Sequence, residues 1–329
     1  MLPVKIAATG VYLPEKIVTS AWLAETLHID EQWILEKSGV KKRHWVTDET
    51  VALMGARALE KALQKTNIKF EELDAIICAS GSYDYPVPST ACLIPAFLGK
   101  NQAGIPCWDI DATCLSFIVA LDAISYLIAG GKYQYVAIIS SEIASRTLNF
   151  NDKETTTLLG DAAVAVILSK TSAIEKSGIL QSSVKTFSEG AMDTYVKGGG
   201  NAWHPRNPEA KDEDFTFQMN GRKLLKIASE KLLPFMEEIF EKAGFHWTEL
   251  NMVIPHQASK LGLLMAQKQL KLSDNQFYKN LENYGNCIAA SVPLALHEAI
   301  EVGKINRGDT ICLLGTGAGF SIGANILVY

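Results

Sequence analysis

No stretch of the 329-residue sequence stays apolar long enough to cross a bilayer; Ser, Asp or Gly interrupts each run well short of the ~20 residues required. The opening "MLPVKIAATGVYLPEK" lacks the basic leader and long apolar stretch of a secretory signal. Basic charge is not in excess either. With 31 Lys and Arg against 36 Asp and Glu, the net charge is -5, which gives no reason to expect a nucleic-acid surface. There is no HExxH, no paired Cys-x-x-Cys and no carboxylate cluster, so nothing points to a catalytic metal. Cysteine is sparse: Cys78, Cys92, Cys107, Cys114, Cys287 and Cys312 are scattered, mostly inside apolar runs. That is the usage of a reducing compartment, where most thiols behave as small core residues. Together these absences predict a cytoplasmic chain with no membrane or nucleic-acid partner and no metal.

What is present is the balance of an ordinary globular protein, 48% apolar and 20% charged. The length suits two average domains or one large α/β unit. Buried strands are expected at Ala75–Cys78, Val136–Ile139, Ala163–Leu168 and Ile311–Leu314, all short β-branched or apolar runs. Between them, "ETVALMGARALEKALQKTN" and "GRKLLKIASEKLLPFMEEIFEKAG" repeat apolar residues at helical steps, the second stopping at Gly244. This alternation predicts an α/β architecture with buried sheets. "FEELDAIICASGS" resembles "WTELNMVIPHQAS", and "AGGKYQYVAIISSE" resembles "EVGKINRGDTICLLGT". Both pairs are offset by about half the chain, which predicts a duplicated unit with equivalent strand ends at a shared centre. The Gly-, Pro- and charge-rich segment 196–214 reads as a long loop, either a binding loop or a connector.

Three corners carry candidate chemistry. Cys114 in "DATCLSF" lies between a strand-like run and an apolar helix, so its thiol is expected at a helix N-terminus that favours thiolate. His256 in "VIPHQASK" follows a buried strand. Asn286 in "NYGNCIAAS" sits in a turn before another apolar helix. Taken singly, each is explained by packing or capping. Taken together, a thiol nucleophile, an imidazole and a carboxamide at three strand-to-helix corners supply the parts of acyl-transfer chemistry. The C-terminal "GTGAGFSIG" is not a nucleotide loop, because a strand and not a phosphate-capping helix follows it. Its glycines suit close backbone approach beside the nucleophile.

In that order and spacing, "DATCLSF", "VIPHQAS" and "NYGNCIAASVPLAL" resemble the ketoacyl synthase III family of the thiolase superfamily. The resemblance spans essentially the whole chain, through "DEQWILEKSGVKKRH" and "LLGDAAVAVIL" to the final "GAGF". It implies a thiolase-like fold of duplicated α/β halves (1–172 with the nucleophile, 173–329 with His and Asn) in five αβαβα layers, assembled as a homodimer. It implies decarboxylative condensation of an acyl-CoA primer with a malonyl thioester on acyl carrier protein, with no cofactor beyond the coenzyme A thioester substrate. Cys114 would carry the acyl group, His256 and Asn286 would act on the malonyl thioester, and the backbone N–H groups of Cys114 and Ala318 would form the oxyanion hole. Trp33, Lys37, Lys153 and Arg222 fall at coenzyme A-binding positions; Lys226, Lys260 and Lys268 fall at carrier-docking positions. Leu115, Ser116, Thr316, Val87 and Leu261 depart from the usual family pattern. At Val87, where some relatives close the acyl pocket from across the dimer, the smaller side chain leaves room for added methylenes, each contributing about 0.8 kcal/mol. Left open are non-decarboxylative acyl transfer, a Cys–His–Asn hydrolase and a relict scaffold.

Overall fold

Two sheets with one strand order organise the chain, whose computed structural model describes residues 1–329. The first half runs β1 (Val4–Tyr12), β2 (Lys16–Thr19), α1 (Ser20–Leu27), α2 (Glu31–Lys37), β3 (Lys42–Trp45) and α3 (Val51–Gln64). It continues through β4 (Ala75–Ala79), α4 (Thr90–Phe97), β5 (Cys107–Ile110), α5 (Ser116–Ala129), β6 (Tyr135–Glu142), α6 (Lys153–Thr156) and β7 (Ala162–Lys170). The second half runs β8 (Gly178–Thr186), β9 (Thr194–Val196), β10 (Phe217–Met219), α7 (Gly221–Ala243), β11 (Met252–Pro255) and α8 (Lys260–Leu270). It ends with α9 (Leu281–Tyr284), α10 (Ser291–Glu301), β12 (Thr310–Gly317) and β13 (Ser321–Val328). The four expected strands and two expected helices are all present, and Gly244 (φ 81°) ends α7 as its left-handed cap.

The first sheet has the order β1-β7-β6-β4-β5, antiparallel at β1/β7 and β7/β6 and parallel at β6/β4 and β4/β5. The second repeats it as β8-β13-β12-β11 with the same senses, and a parallel bridge between Val253 and Phe277 stands in the place of β5. Even the brace beneath each sheet is copied. Asp74 accepts from the Tyr135 N–H at 2.9 Å, and Asn251 accepts from the Thr310 N–H at 2.8 Å.

Three cores separate the five layers. α3 and α4 cover one face of the first sheet, and α7 and α8 cover one face of the second. Between the sheets lie α5 and α10, packed against β6 and β13 and against β7 and β11 respectively. Their composition explains the position: α5 buries Phe117, Ile118, Ala120, Leu121, Ile124 and Ile128 on more than one side, as a helix between two apolar sheets must. By contrast, α3 buries one stripe and exposes Arg57, Glu60 and Lys61.

The α3–β1 contact is backbone on backbone. A Cβ added at Gly10 would lie 2.3 Å from the Ala62 nitrogen and 2.4 Å from the Ala58 oxygen, whereas one added at Gly200 meets nothing within 4 Å. Gly10→Ala is therefore expected to destabilise the protein by about 1–3 kcal/mol, while Gly200→Ala stays within about 0.5 kcal/mol of wild type. Thermal unfolding of the two variants checks this.

Candidate active site

The turn after β5 is built by short-range hydrogen bonds. Asp111 Oδ1 accepts from the Thr113 N–H at 2.7 Å, Ser116 Oγ accepts from the Ala112 N–H at 2.9 Å, and Thr113 takes φ 52°. The chain then passes through a 3-10 turn, Thr113–Leu115, into α5, leaving Cys114 at its apex. The same turn recurs before α10. Asn286 Oδ1 accepts from the Ile288 N–H at 2.9 Å, Ser291 Oγ accepts from the Cys287 N–H at 2.9 Å, and Ile288 takes φ 47°. Asn286 is thus the counterpart of Asp111, and Ala289 the counterpart of Cys114. The Asx-to-Ser spacing common to "DATCLS" and "NCIAAS" was the sequence signal for this equivalence.

Asn286 does not sit at a strand-to-helix corner as expected: the short helix α9 precedes it. What holds it is backbone pairing with the segment before β7, Asn286 N–H to Leu158 O at 2.9 Å and Gly160 N–H to Asn286 O at 3.1 Å. Because Oδ1 is occupied by the Ile288 N–H, the carboxamide has one orientation. Its Nδ2 donates to Ala258 O at 3.2 Å and keeps a second N–H.

His256 follows β11, tied to the sheet by its N–H to Leu314 O at 2.7 Å. The residue is 6% exposed, and Nδ1 has no partner in the protein. Burial pushes the imidazole down to about 4, so it is neutral at physiological pH. The backbone N–H groups of Ala318 and of Cys114 itself favour the ionised form of Cys114 Sγ. The expected ready thiolate is nevertheless not found. Burial, with the Glu142 carboxyl adding to it, pushes the thiol up to about 12 against those two donors. Desolvation outweighs what a helix terminus supplies, and α5 itself begins only at Ser116.

Cys114, His256 and Asn286 line one cavity of about 170 Å³, together with Thr316 of β12 and Ala318 of the β12–β13 connection. Close approach there requires glycine. A Cβ on Gly315 would lie 2.9 Å from Leu115 Cδ2, and one on Gly317 would lie 3.0 Å from Thr113 Oγ1. The remaining walls come from facing sides of α7 and α8 and from the β9–β10 ribbon, through Thr194, Phe217 and Met219. Segment 196–214 is the long connection of that ribbon, braced by Lys197 and Trp203, which both donate to Asp214.

The other candidate residues lie outside this cavity. Trp33 on α2 is half-buried against the cluster of Val18, Leu23, Ile34 and Trp45. Lys37, Lys153, Arg222, Lys226 and Lys268 are exposed, and Arg222 adjoins the lining residue Gly221. Lys260 is half-buried, and its ammonium donates to Leu35 O at 3.1 Å, tying α8 to α2. Val87 is 84% exposed on the loop after β4 and does not reach the cavity of its own chain. Sequence reasoning missed Glu142, a completely buried carboxyl ending β6 beside the nucleophile turn. Its signal was an acidic residue closing the otherwise uncharged strand "YVAIISSE". No group of three His, Cys, Asp or Glu side chains is arranged to hold a metal ion.

The depressed imidazole of His256 contributes its full stability above pH 6.5, the ordinary histidine value, and loses it as the pH falls through about 4. Relative to His256→Asn, wild type is expected to lose about 3 kcal/mol across that window. Denaturant unfolding of both proteins at several pH values measures it.

Two family models match the chain: 3-oxoacyl-[acyl-carrier-protein] synthase III over residues 108–188 and the C-terminal part of the same family over residues 240–329. The beta-ketoacyl-[acyl-carrier-protein] synthase III of Aquifex aeolicus is 35% identical over 325 residues, covering 99% of each chain. That of Clostridium acetobutylicum is 33% identical over 327 residues, again covering 99% of each. The crystal structure of the Aquifex aeolicus enzyme superposes with a TM-score of 0.88, covering 99% of this chain and 100% of the other. The enzyme from Pseudomonas aeruginosa, 27% identical, gives 0.89 with 99% and 98% covered. The thiolase-like fold expected from the motifs is therefore present, and the chain belongs to the 3-oxoacyl-[acyl-carrier-protein] synthase III family.

Proposed function

We propose that the protein condenses an acyl-CoA primer with a malonyl thioester carried on acyl carrier protein, through an acyl-cysteine intermediate, to give a β-ketoacyl thioester. The observation that carries this reading is the convergence of Cys114, His256 and Asn286 on one cavity that Ala318 also lines. In the first half-reaction Cys114 Sγ attacks the thioester carbonyl, and coenzyme A leaves as the thiol with the proton. The N–H groups of Cys114 and Ala318 hold the oxyanion. In the second, the malonyl group loses CO2, and His256 and Asn286 donate to the enolate oxygen. The enolate carbon then attacks the acyl-cysteine carbonyl and expels the Cys114 thiolate, which takes up a proton from water to restore the thiol.

The charge states support this division of labour. A neutral imidazole and a fixed carboxamide donate to a developing enolate without a counter-charge. A Cys–His–Asn hydrolase would need Asn286 Oδ1 to orient the imidazole, yet that oxygen already accepts from the Ile288 N–H and His256 Nδ1 is unpartnered. The chemistry needs no group beyond the two thioesters. The coenzyme A arm would pass Trp33, Lys37, Lys153 and Arg222, with Thr316 near the acyl group. Lys226, Lys260 and Lys268 would meet the carrier protein, Lys260 being the least free of the three.

A homodimer fits the surface. β5 is an edge strand with one side unpaired, and Tyr83, Tyr85 and Val87 beside it are more than half exposed. In such a dimer Val87 would reach the partner's acyl pocket. The chain divides for this purpose into halves 1–172 and 173–329 and would work in the cytoplasm; no helix is long and apolar enough to cross a membrane.

Cys114→Ala is expected to abolish acylation by acyl-CoA, read by intact-protein mass spectrometry. His256→Ala and Asn286→Ala are expected to keep acylation while malonyl decarboxylation falls about 100- to 1,000-fold, read as CO2 release. Labelling of the Cys114→Ala protein, or release of free acid in place of a β-ketoacyl product by wild type, would refute the reading.

A further inference from the structure

Glu142 lies where the loop after β4 and the turn before α10 both meet the end of β6. Its Oε1 accepts from the Gly81 N–H at 2.7 Å and its Oε2 from the Ser82 N–H at 2.9 Å. The Ser82 hydroxyl and the Ala289 N–H also favour the ionised carboxyl, and the turn carrying Ala289 packs against β6. Gly81 and Ser82 begin the loop after β4 that leads to the exposed Tyr83, Tyr85 and Val87. Ala289 belongs to the turn that fixes Asn286 and is the second-half counterpart of Cys114. The nucleophile turn itself is adjacent: a Cβ on Gly81 would meet Thr113 Cα at 3.6 Å, Ile288 Cγ2 at 3.7 Å and Glu142 Oε1 at 3.9 Å.

This carboxyl forms no ion pair with any lysine or arginine. The titratable groups that feel it are thiols, Cys78 on β4, Cys114 before α5 and Cys287 before α10. Cys114 in turn faces Glu142 from β6 and Asp111 from its own turn, while His256 at the end of β11 shares its cavity.

We infer that Glu142 is a positioning residue for the condensation site, tying the loop at Gly81–Ser82 to the Asn286 turn and, through its charge, setting how readily Cys114 loses its proton. The inference rests on Cys114 being the nucleophile. Burial raises the Glu142 carboxyl to about 7, so the group changes charge near physiological pH. Once ionised, it opposes formation of the Cys114 thiolate. While protonated, it keeps its acceptor oxygens without the repulsion.

The test is alkylation of Cys114 by iodoacetamide as a function of pH, followed by peptide mass spectrometry so that the exposed Cys92 is counted separately. Wild type is expected to show log rate against pH with unit slope broken near pH 7, and Glu142→Gln to remove the break. Above pH 8 the variant should react about tenfold faster than wild type, corresponding to one pK unit of coupling, and below pH 6 the two should be equal. Glu142→Asp, which keeps the charge, should retain the break. A rate ratio independent of pH, or unit slope throughout in wild type, would overturn the inference, and the wild-type profile decides even if Glu142→Gln does not fold. Failure of wild type to form a β-ketoacyl product would refute the proposed reaction and leave the alkylation result to stand separately.

Discussion

Burial of α5 and α10 between two sheets is the constraint on which the rest of the molecule depends. Both helices are apolar on more than one face, and each enters the middle layer through the same Asx- and Ser-braced turn. The sheets that enclose them share one strand order. Packing two copies of the unit about this shared layer brings the two turns together, and the nucleophile and the carboxamide arrive with them. Each turn fixes a different atom: the thiol at the fourth position in one copy, the amide at the first position in the other.

Desolvation sets the electrostatics of the site. It raises the Cys114 thiol and the Glu142 carboxyl and lowers the His256 imidazole, so at neutral pH the thiol and the imidazole are uncharged and Glu142 alone is partly ionised. Neutral N–H groups supply the polarity: those of Cys114 and Ala318 beside Sγ, and the second N–H of Asn286 Nδ2 on a residue that lines the cavity. Such dipoles favour charge that forms during reaction without stabilising a charged resting state. Glycine lets β12 approach the nucleophile turn closely at Gly315 and Gly317.

Much of this was legible in the linear order of residues. Short buried strands such as "AIICA" announce themselves by composition, and α3 and α7 by helical spacing. The half-chain offset between "FEELDAIICA" and "WTELNMVIPH" is matched by the repeated sheet. The site was less legible. Asn286 was expected after a strand, but its support is a bridge to Leu159, a partner more than a hundred residues away, which no local pattern encodes. Glu142 was passed over because a strand ending in an acid ordinarily ends in solvent, whereas here two other turns close over it.

Sequence alone determined four buried strands, two long helices, the repeat and the identity of the three side chains, because periodicity, capping and spacing act over a few residues at a time. Only the tertiary structure decided their chemical state: a protonated Cys114 in place of the thiolate its helix terminus implied, a neutral His256, and a carboxamide with one orientation. The physical reason is that solvation and hydrogen-bond partners come from whatever packs alongside, and at this site the neighbours are supplied by distant parts of the chain.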